Sequence, residues 1–189
     1  MSTNFQASAL RAIIVRKRTE YERKSGAGPV PRERDMEMKM KTDYGLMKMQ
    51  LESLSEGVEW DITILSNASA LLWDSLEDIN WAGFYIMRNG RLELGPFQGK
   101  TACTVIEAGK GVCGTAVLED RTQLVPDVHF FPGHIACDSA SNSEIVVPLH
   151  RNGEVYGVID IDSPFKERFT EDDRQGLETF AAALETIIA

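Results

Sequence analysis

Three cysteines, Cys103, Cys113 and Cys137, are the only ones in the chain, and they fall in one Gly-, Pro- and acid-rich stretch containing GPFQGKTAC, GKGVCG and FPGHIACDSASNSE. Each stands in turn-forming sequence, where a thiol can reach a ligand, and not in an apolar run, where cysteine serves as small hydrophobic filling. Filling is the competing reading for any one of them taken alone. Nine residues separate the first two cysteines and twenty-three the next two. Structural zinc sites bring their ligands in close pairs on tight turns, so a Cys3His site of Cys103, Cys113, Cys137 and His134 fits this spacing poorly. A redox role asks only that a nucleophilic thiolate and a resolving thiol meet, because a sulfenic acid condenses with a second thiol to a disulfide. Thiol redox chemistry is the first expectation, with no bound metal.

Carboxylates gather in the same part of the chain. Asp160 and Asp162 alternate in VIDIDSP, and on a strand alternate residues share a face. If that is the apolar face, two acids are held beside a cavity and must meet a cationic ligand, a metal or a proton. The alternative is a solvated face that they merely decorate. Glu144 opens the preceding apolar run, SEIVVPL, directly after a long segment from Pro126 to Ser143 that carries Cys137 with His129, His134 and Asp138. A connection of that length inside a compact domain is expected to be functional.

The elements that position these groups follow from periodicity. Leu46, Met49 and Leu51 to Leu54 predict a short helix, and Ile62, Leu65, Ser69 and Leu72 mark the inner stripe of a second, from about Glu59 to Ser75. The period then changes to two. Trp81 to Met87 reads as a strand, Asn89-Gly90 as a hairpin turn and Leu92 to Leu94 as the start of the return strand. Glu144 to Leu149, Asn152-Gly153 and Val155 to Ile161 repeat the recipe. Between the hairpins a helix is predicted over Gly111 to Glu119 and a strand over Thr122 to Val125. Thr170 to Asp173 forms a near capping box ahead of Leu177, Phe180, Leu184 and Ile187 on one helical face. An antiparallel sheet with flanking helices is an α+β domain.

Composition limits the function classes. The formal charge of −9 is uneven: residues 1–42 carry ten Lys/Arg against five Asp/Glu, and residues 43–189 ten against twenty-four. The acidic body argues against a nucleic-acid groove, which needs a concentrated basic face. No apolar run approaches the roughly 18 residues of a membrane span. Residues 1–42 have weak periodicity and read as a poorly ordered basic extension ahead of one domain over 43–189. The cytoplasm is the expected compartment, with an organellar presequence the alternative reading of residues 1–35. In a reducing compartment three cysteines point to catalysis more than to structural bridges.

Taken together, NWAGFY (80–85), LGPFQGK (94–100), GKGVCG (109–114), DVH (127–129), FPGHIACD (131–138), SEIVVP (143–148) and IDIDSP (159–164) resemble free methionine-(R)-sulfoxide reductase, a stand-alone GAF-domain family. The resemblance runs from Tyr44 to the C-terminus, and GAF domains that only bind ligands generally lack all three cysteines of these blocks. It implies a single GAF domain, an antiparallel sheet with helices on one side and a loop-covered ligand cavity on the other. It also implies free methionine (R)-sulfoxide as substrate and thioredoxin, ultimately NADPH, as external reductant, with no bound cofactor and a homodimer as the expected assembly.

By the same resemblance Cys137 is the nucleophile, Cys103 the resolving partner and Cys113 auxiliary. Asp160 is then expected to hold the substrate ammonium, Glu144 and Asp162 to manage protons at the sulfoxide oxygen, and Trp81 and Tyr85 to line the pocket. Core packing is the competing reading of the two aromatics. Local physics alone favours Cys113 as nucleophile, because GKGVCG opens a helix whose dipole lowers a thiol pKa. A GAF ligand-binding or sensor module without turnover is the second functional reading.

Overall fold

A computed structural model describes residues 42–133 and 139–188 of the chain. The extension up to residue 41, and His134, Cys137 and Asp138, lie outside the described residues. The described chain runs α1 (Tyr44–Ser55), α2 (Asp61–Ser75), β1 (Trp81–Arg88), β2 (Arg91–Gly99), β3 (Val105–Glu107), α3 (Gly111–Glu119), β4 (Gln123–Val125), a 3-10 turn (Val128–Phe130), β5 (Ser143–Arg151), β6 (Glu154–Ser163) and α4 (Glu171–Ile187).

All strand pairs are antiparallel, in the order β3-β2-β1-β6-β5-β4. The two hairpins close as the Asn-Gly pairs dictate. Asn89 and Gly90 have φ of 52° and 80°, and Asn152 and Gly153 have 53° and 79°, the paired positive values whose twist matches that of the flanking strands. Helix starts are equally local. The Asp43 carboxylate accepts from the Leu46 N–H at 2.9 Å, and Thr170 and Asp173 form a reciprocal capping box at the start of α4.

Strand alternation divides the apolar residues into two clusters on opposite sides of the sheet. Ala82 and Phe84 of β1, Ile145, Val147 and Leu149 of β5, and Ile159 and Ile161 of β6 pack with residues of α1, α2 and α4, including Leu51, Leu65, Leu72, Leu177 and Phe180. The intervening residues, Trp81 and Tyr85, Val146, and Val158, pack with Val112, Cys113 and Ala116 of α3 and with Val125 and Val128. The helical layer is thus on one face, and α3 with its flanking loops covers the other.

Some expected stripes are shifted. Leu46, Met49 and Leu54 are exposed, whereas Leu51 is buried as expected, together with Met47 and Ser55. Ile62 is exposed, while Ile64, Leu65, Ala68, Ser69 and Leu72 form the inner face of α2. In both helices apolar residues outnumber the positions a single stripe can hold, so the partner surface decides which face turns inward. Strand β3 has no sequence counterpart: three residues are too few to show a period. The segment between β4 and β5 contains the 3-10 turn, whose Asp127 accepts from the His129 backbone N–H at 3.0 Å and pairs with Lys166 Nζ at 2.7 Å.

Candidate active site

The face covered by α3 carries the chemistry. On β6 it presents Val158, Asp160 and Asp162, and on β5 Glu144 and Val146, alternating with Ile145, Ile159 and Ile161 of the helical side. Register places Asp162 between Trp81 of β1 and Glu144 of β5, and Asp160 between Gly83 and Val146. The expectation that Asp160 and Asp162 share a face therefore holds, and the face is not a solvated one at Asp160, which is 6% exposed.

Gly83, the register partner of Asp160 on β1, sets how closely β2 approaches. A Cβ at Gly83 would lie 2.4 Å from Phe97 Cβ and 2.8 Å from the Pro96 carbonyl oxygen, so β1 and β2 close together here only because the side chain is absent. The approach coincides with a β-bulge opposite Gly83 to Tyr85. It sets Phe97 against Trp81, with ring centroids 5.2 Å apart and planes inclined by 14°; Trp81 in turn stacks on Tyr85 at 5.8 Å. Trp81 and Tyr85 are both buried and pack in the apolar cluster on this side of the sheet, as the core-packing reading expects.

The polar ends of that wall hold the segment that carries Cys103. Trp81 Nε1–H donates to the Lys100 carbonyl at 3.1 Å, and the Tyr85 hydroxyl donates to the Cys103 carbonyl at 2.9 Å. The sequence offered no sign of either bond, because both acceptors are backbone atoms more than fifteen residues away. Burial, helped by the nearby Asp160 charge, pushes the Tyr85 pKa far up and keeps it a neutral donor.

Cys113, Glu144 and Asp160 come from α3, β5 and β6, and one donor atom of each lies within 4.8 Å of the others. Cys113 Sγ points at Glu144 Oε1 across 3.9 Å, a long sulfur contact. Asp160 Oδ1 is buried without a hydrogen-bond partner. Burial raises the Asp160 carboxyl to about 6, partly offset by hydrogen bonds from Cys113 and Glu144. Burial first, and then the Asp160 and Asp162 charges, push Glu144 well above the usual carboxylate range. Both buried carboxyls are thus biased toward holding a proton.

Cys113 departs from the helix-dipole expectation. It is the third residue of α3, but it is a free thiol, 4% exposed, and burial together with the Asp160 and Glu144 charges drives its pKa up, not down. The dipole of a nine-residue helix is outweighed by two acids from strands thirty and more residues further along. His129 is 60% exposed on its side chain and paired with Asp127 at 2.8 Å, apart from this cluster. Among the described residues the cysteine neighbours are carboxylates, so the structure brings together Cys113, Glu144, Asp160, Trp81 and Tyr85. Asp162 lies alongside them in register, and Cys103 sits over the aromatic wall.

Comparison with known proteins places the chain in a family. The GAF domain family model matches residues 51–188. Free methionine-R-sulfoxide reductase of Escherichia coli K12 is 51% identical over 146 residues, 77% of this chain and 88% of that protein. The structure of fRMsr of Staphylococcus aureus in its reduced form superposes with a TM-score of 0.77 at 53% identity, covering 79% of this chain and 97% of that one. The same S. aureus protein in complex with its substrate gives 0.75 at 52% identity over the same shares of the two chains. No helix among the described residues is long and apolar enough to cross a membrane. With half of its residues identical to those proteins over most of its length, and with the same fold, the chain belongs to the GAF-domain free methionine-R-sulfoxide reductase family.

Proposed function

We propose that this protein reduces free L-methionine (R)-sulfoxide to methionine, using Cys137 as nucleophile and Cys103 as resolving thiol, with thioredoxin as the electron donor. The observation that carries the reading is the buried Glu144–Asp160 pair beneath the Trp81–Tyr85 wall, with Asp160 Oδ1 unpartnered. A free amino acid brings an ammonium group that this anion can hold. A methionine sulfoxide within a peptide has no such charge, and its flanking chain has no place in an enclosed pocket. The S. aureus relative in complex with its substrate supports the same choice.

The chemistry balances in three steps. The Cys137 thiolate attacks the sulfoxide sulfur, and a proton supplied through Glu144 and Asp162 neutralises the oxygen. The oxygen then passes from the substrate sulfur to Cys137 Sγ, the substrate S–O bond and the transient S–S bond both break, methionine leaves, and Cys137 is left as a sulfenic acid. Cys103 displaces that oxygen as water and forms a disulfide, which two thiols of thioredoxin reduce. Glu144 suits the acid role because burial and the neighbouring Asp160 and Asp162 charges push it toward its protonated form, and Asp160 suits the anchoring role because hydrogen bonds from Cys113 and Glu144 favour its charged form. Cys113 is auxiliary, its thiol held protonated between the two acids.

The test is turnover of free methionine (R)-sulfoxide with thioredoxin, thioredoxin reductase and NADPH. Stoichiometric NADPH oxidation and methionine release are expected. Binding of the sulfoxide without methionine release would leave a ligand-binding GAF module in place of an enzyme.

A further inference from the structure

The cluster beneath the aromatic wall contains a donor that ammonium recognition does not use. Carboxylates alone suffice to hold an ammonium, yet a sulfur atom completes the triangle, with Cys113 Sγ, Glu144 and Asp160 each placing a donor atom within 4.8 Å of the other two. All three residues are at least nine-tenths buried, and Asp160 Oδ1 has no hydrogen-bond partner. A buried carboxylate oxygen in that condition is a net cost to the fold until something meets it. We propose that Cys113, Glu144 and Asp160 form a binding site for a thiophilic divalent cation of the zinc class, which takes the place of the substrate ammonium and blocks turnover.

The donor set selects the cation. Calcium takes six to eight oxygens, and magnesium an octahedron of oxygens, so neither is served by one sulfur and two carboxylates. Zinc, cobalt(II) and cadmium accept thiolate and carboxylate together, with metal–ligand distances of about 2.0–2.3 Å that bring such donors onto one ion after small side-chain movements. Three protein ligands leave a fourth position for water. Binding forms a sulfur–metal bond, and the thiol proton leaves to solvent; no electrons are transferred. The strands fix two donors and the helix the third, so the triangle is preformed in the fold.

Coordination stands on the geometry alone, whereas the competition with substrate rests on the reductase reading, and the two are tested separately. Full-length protein, reduced and freed of thiol reductant, is titrated with Co2+. A thiolate-to-cobalt charge-transfer band in the near ultraviolet, saturating at one equivalent and abolished by Zn2+, is expected. Cys113→Ser should lose the band, Cys103→Ser and Cys137→Ser should keep it, and Asp160→Asn should bind more weakly. Should Cys113→Ser not fold, Asp160→Asn, which preserves size and shape, carries the comparison. Absence of the band in the wild type, its survival in Cys113→Ser, its loss in Cys137→Ser, or unchanged affinity in Asp160→Asn would overturn the site. In turnover assays Zn2+ should raise the apparent KM for the sulfoxide without lowering kcat. Inhibition that excess substrate does not relieve would overturn the competition while leaving the site intact, and a protein that turns nothing over leaves the cobalt result to stand or fall alone.

Discussion

The hydroxyl of Tyr85 donates to the carbonyl oxygen of Cys103 at 2.9 Å, tying the segment that bears this cysteine to the Trp81–Tyr85 aromatic wall. A Tyr85→Phe substitution removes the donor and keeps the ring. It should cost about 0.5–1.5 kcal/mol of stability, the usual net worth of such a bond. Its larger effect should fall on disulfide formation, because Cys103 loses a point of attachment. Methionine release in a single turnover should persist, while steady-state turnover with thioredoxin slows. Equal loss in both assays would show that the hydroxyl serves the chemical step instead.

The cysteines separate in a single turnover without added reductant. Cys137→Ser should release no methionine, since no sulfenic acid can form. Cys103→Ser should release about one equivalent and then stall with thioredoxin. Cys113→Ser should fall between these and the wild type. Quantifying methionine per enzyme decides the assignment, and a full equivalent from Cys137→Ser with none from Cys113→Ser would move the nucleophile to α3.

Asp160 gives a stability signature with a defined sign. Its carboxyl titrates at about 6 in the folded protein, above the unfolded value near 3.8, so the native state is favoured in acid and loses that contribution as pH rises through 6. Asp160→Asn should therefore stabilise the protein at pH 8, by on the order of 3 kcal/mol for a shift of this size, with the gain vanishing toward pH 4. Thermal denaturation at the two pH values checks it. The same variant should raise KM strongly, since the ammonium loses its counter-charge.

An enclosed, acid-lined pocket should distinguish substrates by charge and bulk. N-acetylated methionine sulfoxide and peptide-borne sulfoxide should be ignored, as should the (S) epimer. Comparable rates on the acetylated compound, measured by methionine or N-acetylmethionine formation, would contradict ammonium recognition by Asp160.

The GAF family match begins at residue 51, and α1 begins at Tyr44. Deleting residues 1–40 should accordingly leave melting temperature and turnover close to those of the full chain. A drop of many degrees would show that the extension packs on the domain.

Much of this was legible in the sequence because its signals are local. The period-two pattern of β1, β5 and β6, the two Asn-Gly turns, the Thr170–Asp173 box and the nine residues of α3 are all set by neighbours a few positions apart. The pairing of Asp160 with Asp162 on one face follows from alternation alone. What failed to show is tertiary. The Cys113 thiol is pushed above its ordinary pKa by burial and then by the Asp160 and Glu144 charges, and the face that α2 turns inward, with Ile64 buried and Ile62 exposed, is fixed by the sheet it meets. The bonds from Trp81 and Tyr85 end on backbone carbonyls, which carry no residue-type signature.

The alternation along β6 also bears on how the chain reaches its fold. Ile159 and Ile161 belong to the helix-packed core, and Asp160 and Asp162 to the opposite side. A slip of one position in pairing would drive both aspartates into the apolar layer and eject both isoleucines, an exchange far costlier than either side chain alone. The two aspartates thus penalise misregistration of the strand during folding, and substitutions that neutralise them should widen the range of misregistered states the hairpin can visit.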